Sequence, residues 1–219
     1  MLQGVSLRVE PGSLVGLIGA NGAGKSTLMN SICGFLRPRS GAVNMNGRDV
    51  IGLPPDELLS TGVGYLMEGH STFPAMTVEE NLALGCWQWR GDRKRVAKAV
   101  DEVFLRSPFL KERRLTAAGL MSGGQQRILE IERLYMTEPT LILLDEPSIG
   151  LSPKLSSELL ARADGFRTAG AAVLLVDQNA RRVAELADYV YVMQLGRIVT
   201  EGAANEIRKS IDDIVREFI

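Results

Sequence analysis

Short apolar runs bounded by polar turns recur along the chain and predict a buried sheet. Ser13–Ile18, Leu141–Leu144 and Ala171–Val176 are apolar almost throughout, and Gly64–Met67 is a shorter run of the same kind. Runs without alternation are typical of strands that are covered on both faces of a parallel sheet. The pattern therefore predicts an α/β protein.

Other segments predict a smaller antiparallel part. Val5–Val9 alternates apolar and polar residues like a half-buried strand, and Ala42–Arg48 predicts a short strand with an Asn-Gly turn. Asp188–Met193 passes through a turn at Gln194–Gly196 into a second run, Arg197–Glu201. These last two runs are expected to be consecutive strands.

Helical patterns occupy the middle and the end of the chain. Most of the sequence from Met76 to Met136 predicts helices, which indicates a helical lobe inserted into the sheet protein. From Asn205 the tail predicts a single helix, docked through an apolar face. That face consists of Ile207, Ile211, Ile214 and Phe218.

A glycine-rich loop follows the first buried strand. Gly19–Ser26 has the sequence GANGAGKS, the full G-x-x-x-x-G-K-[ST] pattern, and a helical segment begins at Thr27. In such a loop, backbone N–H groups hold phosphate oxygens, Lys25 contacts the β- and γ-phosphates, and Ser26 binds Mg²⁺. The loop predicts a nucleoside triphosphate site.

A second anion-binding turn and a pair of carboxylates lie further along. Ser122–Gly124 precedes a helical pattern, and the free N–H groups of such a helix start can hold a phosphate. The serine can equally cap the helix, and the two roles are compatible. Asp145 and Glu146 end a buried strand, where open α/β sheets place their ligands. One carboxylate can bind a metal ion while the other accepts a proton. This combination predicts hydrolysis of a nucleoside triphosphate.

Composition narrows the classes of function. The chain has 219 residues, 45% of them hydrophobic, and a formal net charge of −1. These values suit one folded domain and argue against nucleic acid as the main partner. Cys33 and Cys86 lie in unrelated segments and are expected to be reduced thiols of a cytoplasmic protein. No run approaches the roughly 18 apolar residues of a membrane span, and the start lacks a signal-peptide pattern. Membrane contact is expected only through protein partners.

Taken together, the motifs resemble those of the ATP-binding cassette (ABC) ATPases over nearly the whole chain. The shared order is the loop at Gly19–Thr27, Glu68, a signature at Met121–Gln125, the Asp145–Glu146 strand end and a switch position at Gln178. The resemblance implies an α/β fold: a RecA-like phosphate-loop NTPase core with a mostly parallel sheet, a small antiparallel β part and an inserted helical lobe. A single domain, 1–219, is expected, with its core at about 1–70 and 137–219 and its lobe at about 71–136.

The resemblance also implies roles for individual residues. The catalytic residues would be Glu146, Gln178 and Lys25. The Mg²⁺ ligands would be Ser26, Glu68 and Asp145. ATP would be bound in one subunit by Gly19, Asn21, Gly22, Ala23, Gly24, Lys25, Ser26 and Thr27. It would be contacted from a second subunit by Ser122, Gly123, Gly124 and Gln125. Two cassettes would then enclose two ATP molecules.

Two of these positions depart from the usual family pattern. Glu68 stands where a glutamine is usual; a carboxylate can still bind Mg²⁺, and the alternative is a solvated loop acid. Gln178 stands where a histidine is usual, and its amide can donate a hydrogen bond but cannot titrate near pH 7. His70, the one histidine of the chain, lies too far away in sequence to replace it.

The signature helix and the N-terminus also differ from the pattern. Glu130 and Glu132 replace small residues and are expected to be solvated, or paired with Arg127 and Arg133 on the helix surface. Relatives usually carry an earlier strand with an aromatic residue that stacks on adenine, and this chain starts too late to include it. Because such stacking contributes about 1–3 kcal/mol, weaker ATP binding is expected. The alternatives are a misassigned start, or compensation by a partner or another aromatic residue.

Within the family, Tyr65–Leu84, Ser148–Pro153 and Val176–Asn179 are most similar to an ATPase of high-affinity branched-chain amino-acid importers. Urea and short-amide importers are close relatives and remain an alternative. The resemblance implies two permease subunits, a second ATPase subunit in a homo- or heterodimer, and indirectly a periplasmic solute-binding protein. The chain would be peripheral on the inner face of the cell membrane.

Two further alternatives belong to other classes. Glu68 and Gln178 leave open a non-hydrolysing, nucleotide-dependent interaction module, although the intact Glu146 argues against it. A soluble ABC protein of translation or DNA repair usually has two cassettes or a long coiled-coil insertion, and this chain has neither.

Overall fold

The computed structural model describes residues 2–69 and 71–219, so that His70 lies outside the described residues. The strands are β1 Leu14–Ile18, β2 Asn44–Met45, β3 Arg48–Asp49, β4 Val63–Leu66, β5 Leu141–Asp145, β6 Ala172–Val176, β7 Tyr189–Gln194 and β8 Arg197–Ala203. The helices are α1 Lys25–Ile32, α2 Pro55–Ser60, α3 Val78–Gly85, α4 Arg93–Arg106, α5 Pro108–Glu112, α6 Gly123–Tyr135, α7 Pro153–Thr168, α8 Ala180–Leu186, α9 Ala204–Lys209 and α10 Ile211–Phe218.

Six of the strands form one sheet in the order β4-β5-β6-β1-β7-β8. β1 pairs in parallel with both β6 and β7, and β5 pairs in parallel with β6. β8 runs antiparallel to β7. The apolar runs predicted from the sequence are these strands, and β1 and β6 are buried along their whole length. The prediction of a mostly parallel sheet in an α/β protein is confirmed.

The small antiparallel part is a hairpin. Asn44 pairs with Asp49 and Met45 with Arg48, so that the predicted single strand at Ala42–Arg48 is in fact two short strands. Asn46 and Gly47 both have positive φ angles, of 50° and 81°, as a two-residue hairpin turn requires.

The prediction of a strand at Val5–Val9 is wrong. Val5, Leu7 and Val9 alternate toward the core as the pattern suggested, but within the described residues no strand is assigned there. The backbone N–H of Arg8 donates instead to the Tyr191 hydroxyl, at 3.1 Å. The alternating pattern therefore predicted correctly which side chains face the core. A strand also needs a neighbouring backbone to pair with.

The tail also differs from its prediction. It consists of two short helices, α9 and α10, with a break at Ser210, where a single helix was expected. Ile207 and Ile214, one on each helix, are buried. The apolar spacing thus predicted the buried face, whereas the break lies at a residue that competes with the helix backbone for hydrogen bonds.

The chain forms two compact units. The first comprises the residues up to Tyr65, Thr140–Glu146 and Asp164–Ile219, and the second comprises Leu66–Pro139 and Pro147–Ala163. The predicted helical segment, Met76–Met136, lies in the second unit, which also includes 147–163. Among the described residues, no helix is both long enough and apolar enough to cross a membrane.

Each unit has its own apolar core. In the first, residues of the sheet pack with α1 and α2 around Leu17, Met29 and Leu58. In the second, α3, α4 and α6 contribute Leu82, Phe104 and Leu129. Each core can therefore hold the loops of its own unit in place.

Candidate functional site

The glycine-rich loop connects β1 to α1 in the first unit. A Cβ atom at Gly19 would lie 2.2 Å from the Met193 carbonyl oxygen, so only glycine lets the loop approach β7 this closely. Gly24 precedes α1 with φ 110° and provides no side-chain cap. Because the first N–H groups of a helix have no intrahelical partner, the start of α1 is suited to hold an anion.

Lys25 is fixed across this loop. Its Nζ donates to the carbonyl oxygens of Gly19 at 2.7 Å and Ala20 at 3.1 Å, and the residue is only 5% exposed. Ser26 and Asn21 are exposed by contrast. The loop therefore combines helix-start N–H groups, an ordered ammonium and an accessible hydroxyl, which is the donor set that a polyphosphate needs.

Two carboxylates lie at the end of β5, the strand that pairs with β6: Asp145 is its last residue, and Glu146 follows it. Asp145 is 1% exposed and Glu146 is 7% exposed. The hydroxyl of Tyr65, on β4, donates to Asp145 Oδ2 at 3.2 Å. Glu146 has φ 46°, and its N–H donates to the Val176 carbonyl at 2.8 Å. A positive φ in a non-glycine residue is strained and is often found at functional positions.

Gln178 directly contacts Glu146. It lies just beyond the end of β6, and its Nε2 donates to Glu146 Oε2 at 2.8 Å. This is a charge-assisted hydrogen bond that holds one carboxylate oxygen in place. The structure thus brings together two of the three residues that the sequence suggested as catalytic.

Cys33 lies close enough to these carboxylates to feel their charge. Burial, together with the negative charge of Asp145, raises the pKa of its thiol to about 12. The thiol is therefore protonated at neutral pH and adds no charge to this end of the sheet.

The signature segment lies in the second unit, at the start of α6. The Ser122 side chain accepts from the N–H of Gln125, and the Gln125 side chain accepts from the N–H of Ser122. The helix-capping alternative is therefore observed. Ser122 and Gly123 are exposed, whereas Gly124 is buried. An exposed hydroxyl that already caps its helix can still donate its own hydrogen to a ligand.

Glu130 and Glu132 correct the expectation of a solvated helix surface, because they are only 1% and 0% exposed. Glu130 pairs with Arg127, as the alternative allowed, but inside the protein. Glu132 pairs with Arg106 and Arg162. Because Arg106 and Arg162 lie far from Glu132 in sequence, the sequence pattern did not predict this second group of ion pairs.

Glu68, the remaining predicted metal ligand, is an exposed residue of the second unit. No group of three or more His, Cys, Asp or Glu side chains converges anywhere in residues 2–69 and 71–219. Mg²⁺ is usually held by one or two carboxylates together with substrate phosphates and water. The buried Asp145 and the accessible Ser26 of the first unit fit that kind of donor set.

Comparison with known proteins decides the family. The family model described as ABC transporter matches residues 2–149. The chain belongs to the ABC transporter family. It is an ABC ATPase subunit, which binds nucleotide and hydrolyses ATP in transport.

Two curated relatives of this ABC ATPase carry transport names. One is the high-affinity branched-chain amino acid transport ATP-binding protein BraG of Pseudomonas aeruginosa, 43% identical over 198 residues, which cover 90% of this chain and 84% of the relative. The other is a probable branched-chain amino acid transport ATP-binding protein, LivF, of Archaeoglobus fulgidus. It is 33% identical over a region that covers 93% of this chain and 86% of the relative.

Solved structures of ABC cassettes have the same fold as this ABC ATPase. An ATP-binding cassette of an ABC transporter superposes with a TM-score of 0.87 at 30% identity, over 98% of this chain and 90% of that chain. An ADP conformation of an ATP-binding cassette superposes with a TM-score of 0.82 at 32% identity, over 96% and 87%. The predicted RecA-like fold class is thereby confirmed.

Sequence reasoning missed one residue of this ABC ATPase that contacts the candidate site and one that contacts the segment following it in the chain. Tyr65 was assigned only to a strand, yet its hydroxyl holds Asp145. Arg127 was placed on a helix surface, yet its guanidinium is buried and donates to the carbonyl of Pro147, the residue that follows Glu146. A tyrosine inside an apolar strand run was a signal, because a buried hydroxyl needs a partner.

Proposed function

We propose that this ABC ATPase powers the import of branched-chain amino acids by hydrolysing MgATP. The observation that carries the hydrolytic part is the arrangement of one sheet. The phosphate loop follows β1, Glu146 follows β5 and Gln178 follows β6, and these three strands are adjacent and parallel. The 43% identity to BraG over 90% of this chain supports branched-chain amino acids as the class of transported substrate.

In this proposal, Glu146 polarises the attacking water. Its carboxylate is buried and fixed by Gln178, so it accepts a proton from a defined direction. Lys25 neutralises charge on the β- and γ-phosphates from its position across the loop. The triphosphate is held by the loop residues Gly19, Asn21, Gly22, Ala23, Gly24, Lys25, Ser26 and Thr27.

Mg²⁺ bound to the triphosphate would neutralise its developing charge during transfer. We propose Ser26 and Asp145 as its protein ligands, with Tyr65 holding the Asp145 carboxylate in a fixed orientation. Glu68 is proposed as a further ligand, and Glu68→Gln tests that assignment by its effect on the Mg²⁺ concentration that supports half-maximal turnover.

A second cassette is part of the proposal, as a homodimer or a heterodimer. Its signature would contact the ATP of the first cassette through Ser122, Gly123, Gly124 and Gln125. The exposed Ser122 hydroxyl and Gly123 support this role, because they leave donors of the α6 start open to a ligand.

The remaining parts of the proposal concern the assembly. Two permease subunits would take up the movement of the cassettes, and a periplasmic solute-binding protein would supply the substrate. Membrane contact would be made only through the permeases, at the cytoplasmic face. We propose that residues of about 1–70 and 137–219 form the nucleotide-binding core and that residues of about 71–136 form the helical lobe.

The test is steady-state phosphate release by the purified chain with MgATP, beside a Glu146→Gln variant. We expect turnover that is abolished in the variant while ATP binding is kept. Equal release from both proteins would contradict hydrolysis at Glu146. In vesicles with permeases and binding protein, leucine, isoleucine or valine should stimulate turnover; stimulation by urea or short amides alone would reassign the substrate.

A further inference from the structure

The buried ion pair between Arg127 and Glu130 lies on the signature helix and reaches two loops of the second unit. The two side chains are 4% and 0% exposed, and Arg127 Nη1 lies 2.9 Å from Glu130 Oε2. Removing two charges from water is unfavourable unless their remaining hydrogen-bonding atoms are also satisfied. The groups that hydrogen-bond to Arg127 and Glu130 therefore indicate which segments the ion pair holds in place.

Arg127 holds backbone carbonyls on both loops. Its Nη1 donates to the carbonyl oxygens of Met67 at 2.8 Å and Gly69 at 2.6 Å, which flank Glu68. Its Nε donates to the carbonyl oxygen of Pro147 at 3.3 Å. One guanidinium therefore joins the two segments that adjoin the proposed metal ligand Glu68 and the proposed base Glu146.

Glu130 holds the same loop from its other end. Its Oε1 accepts from the backbone N–H of Ser71 and from that of Thr72, the latter at 3.1 Å. Arg133, one turn further along α6, donates to the Ser71 carbonyl and hydroxyl, each at 2.9 Å. We call residues 67–69, 71 and 72 the Glu68 loop.

We propose that Glu130 is a positioning residue of the ATPase cycle, which fixes the Glu68 loop and the Pro147 carbonyl to the signature helix. It acts directly on Ser71 and Thr72, and through Arg127 on Met67, Gly69 and Pro147. The inference rests on the proposed roles of Glu68 and Glu146. Because the helix that would contact a partner's ATP also holds these loops, displacement of its first turns is transmitted to them.

The matched control is Glu132, two residues along the same helix. It is equally buried, at 0% exposure, and it is also paired, with Arg106 and Arg162. Its further partner is the Ser107 hydroxyl, at 2.7 Å, and none of these residues belongs to the Glu68 loop. Glu130→Gln leaves the buried Arg127 without its carboxylate partner, and Glu132→Gln does the same to the partly buried Arg162 and the exposed Arg106. Only Glu130 contacts the loop.

The experiment compares Glu130→Gln with Glu132→Gln in phosphate release, unfolding midpoint and amide hydrogen exchange. Both variants should unfold more easily than the parent. Glu130→Gln should lower kcat by about tenfold to a hundredfold, the range expected when catalytic groups are misplaced by about 1 Å. It should also speed exchange at Ser71 and Thr72. Glu132→Gln should keep kcat within about twofold at temperatures where it is folded.

A double variant, Arg127→Met with Glu130→Leu, separates an effect on the position of the loops from an effect on the stability of the fold. Removing both charges should make this variant more stable than Glu130→Gln, because no buried charge is left unpaired, while kcat stays low because the loop carbonyls have lost their donor. Recovery of kcat together with stability would overturn the proposal, as would equal kcat in the two single variants or unchanged exchange at Ser71 and Thr72. The exchange measurement needs no turnover, so it remains decisive even if hydrolysis at Glu146 is disproved.

Discussion

Replacement of Gln178 by alanine should slow hydrolysis without unfolding the protein. The substitution removes the hydrogen bond from Nε2 to Glu146 Oε2, which is 2.8 Å long. Hydrogen bonds to charged groups contribute about 1.5–3 kcal/mol, which corresponds to roughly 10- to 150-fold in rate if the whole contribution acts in the transition state.

The structure favours the lower end of that range. Gln178 is exposed, so water can take the place of the lost amide, whereas Glu146 is 7% exposed and its backbone is held at β6 by the Val176 carbonyl. We therefore expect kcat to fall about tenfold and the unfolding midpoint to change little. Steady-state phosphate release and thermal unfolding of the same preparations measure both quantities.

Histidine at this position provides the complementary test. An imidazole N–H can donate to Glu146, so Gln178→His should leave hydrolysis largely intact. The parent activity should show no ionisation from residue 178, because an amide does not titrate near pH 7. The variant should gain one with a pKa above the usual value of about 6.5, since the carboxylate favours the imidazolium. Full activity of Gln178→Ala would refute the positioning role.

Three further predictions concern other parts of the chain. Gly19→Ala should abolish nucleotide binding or lower the unfolding midpoint, because its Cβ would lie 2.2 Å from the Met193 carbonyl; unchanged binding would show that the loop can move away. Ser122→Ala and Thr77→Ala each remove a capping box and should lose about 1 kcal/mol of stability, but only Ser122→Ala should also slow turnover. Burial raises the pKa of Cys33 to about 12, so the folded state keeps a proton that the unfolded state loses above its ordinary pKa of 9.0. The stability from this thiol should be present below that pKa and be lost between it and about pH 12. Urea midpoints of the parent should therefore fall more steeply than those of Cys33→Ala over that window.

The sequence predicted the strands of the large sheet well, since apolar runs such as Leu141–Leu144 can only be buried. Its pattern could not show that Val5–Val9 lacks a pairing partner or that the tail breaks at Ser210. Burial is encoded locally by residue type, whereas strand pairing depends on a distant backbone and a helix break on competing hydrogen bonds.

The motifs predicted a candidate site, and the structure brings some of its residues into contact. Gly19–Lys25 forms the expected loop, and Gln178 meets Glu146 as a member of the same site. The burial of Glu130 and Glu132 could not be predicted, because their charges are balanced by partners that lie up to 30 residues away in sequence or are backbone groups of another segment. A charged residue on an amphipathic helix is solvated by default, and only the fold supplies a reason to bury it.

The strand order has a consequence for synthesis of the protein. β1 carries the phosphate loop at the start of the chain, yet its neighbours β6 and β7 come from the last quarter, and the Leu14 N–H donates to a carboxylate 174 residues further on. Non-local pairing of this kind slows folding. As the chain emerges from the ribosome, the loop would remain without its flanking strands until β6 and β7 have been made. The nascent protein should therefore depend on chaperones longer than its size suggests, and it should acquire nucleotide only after β7 has been made.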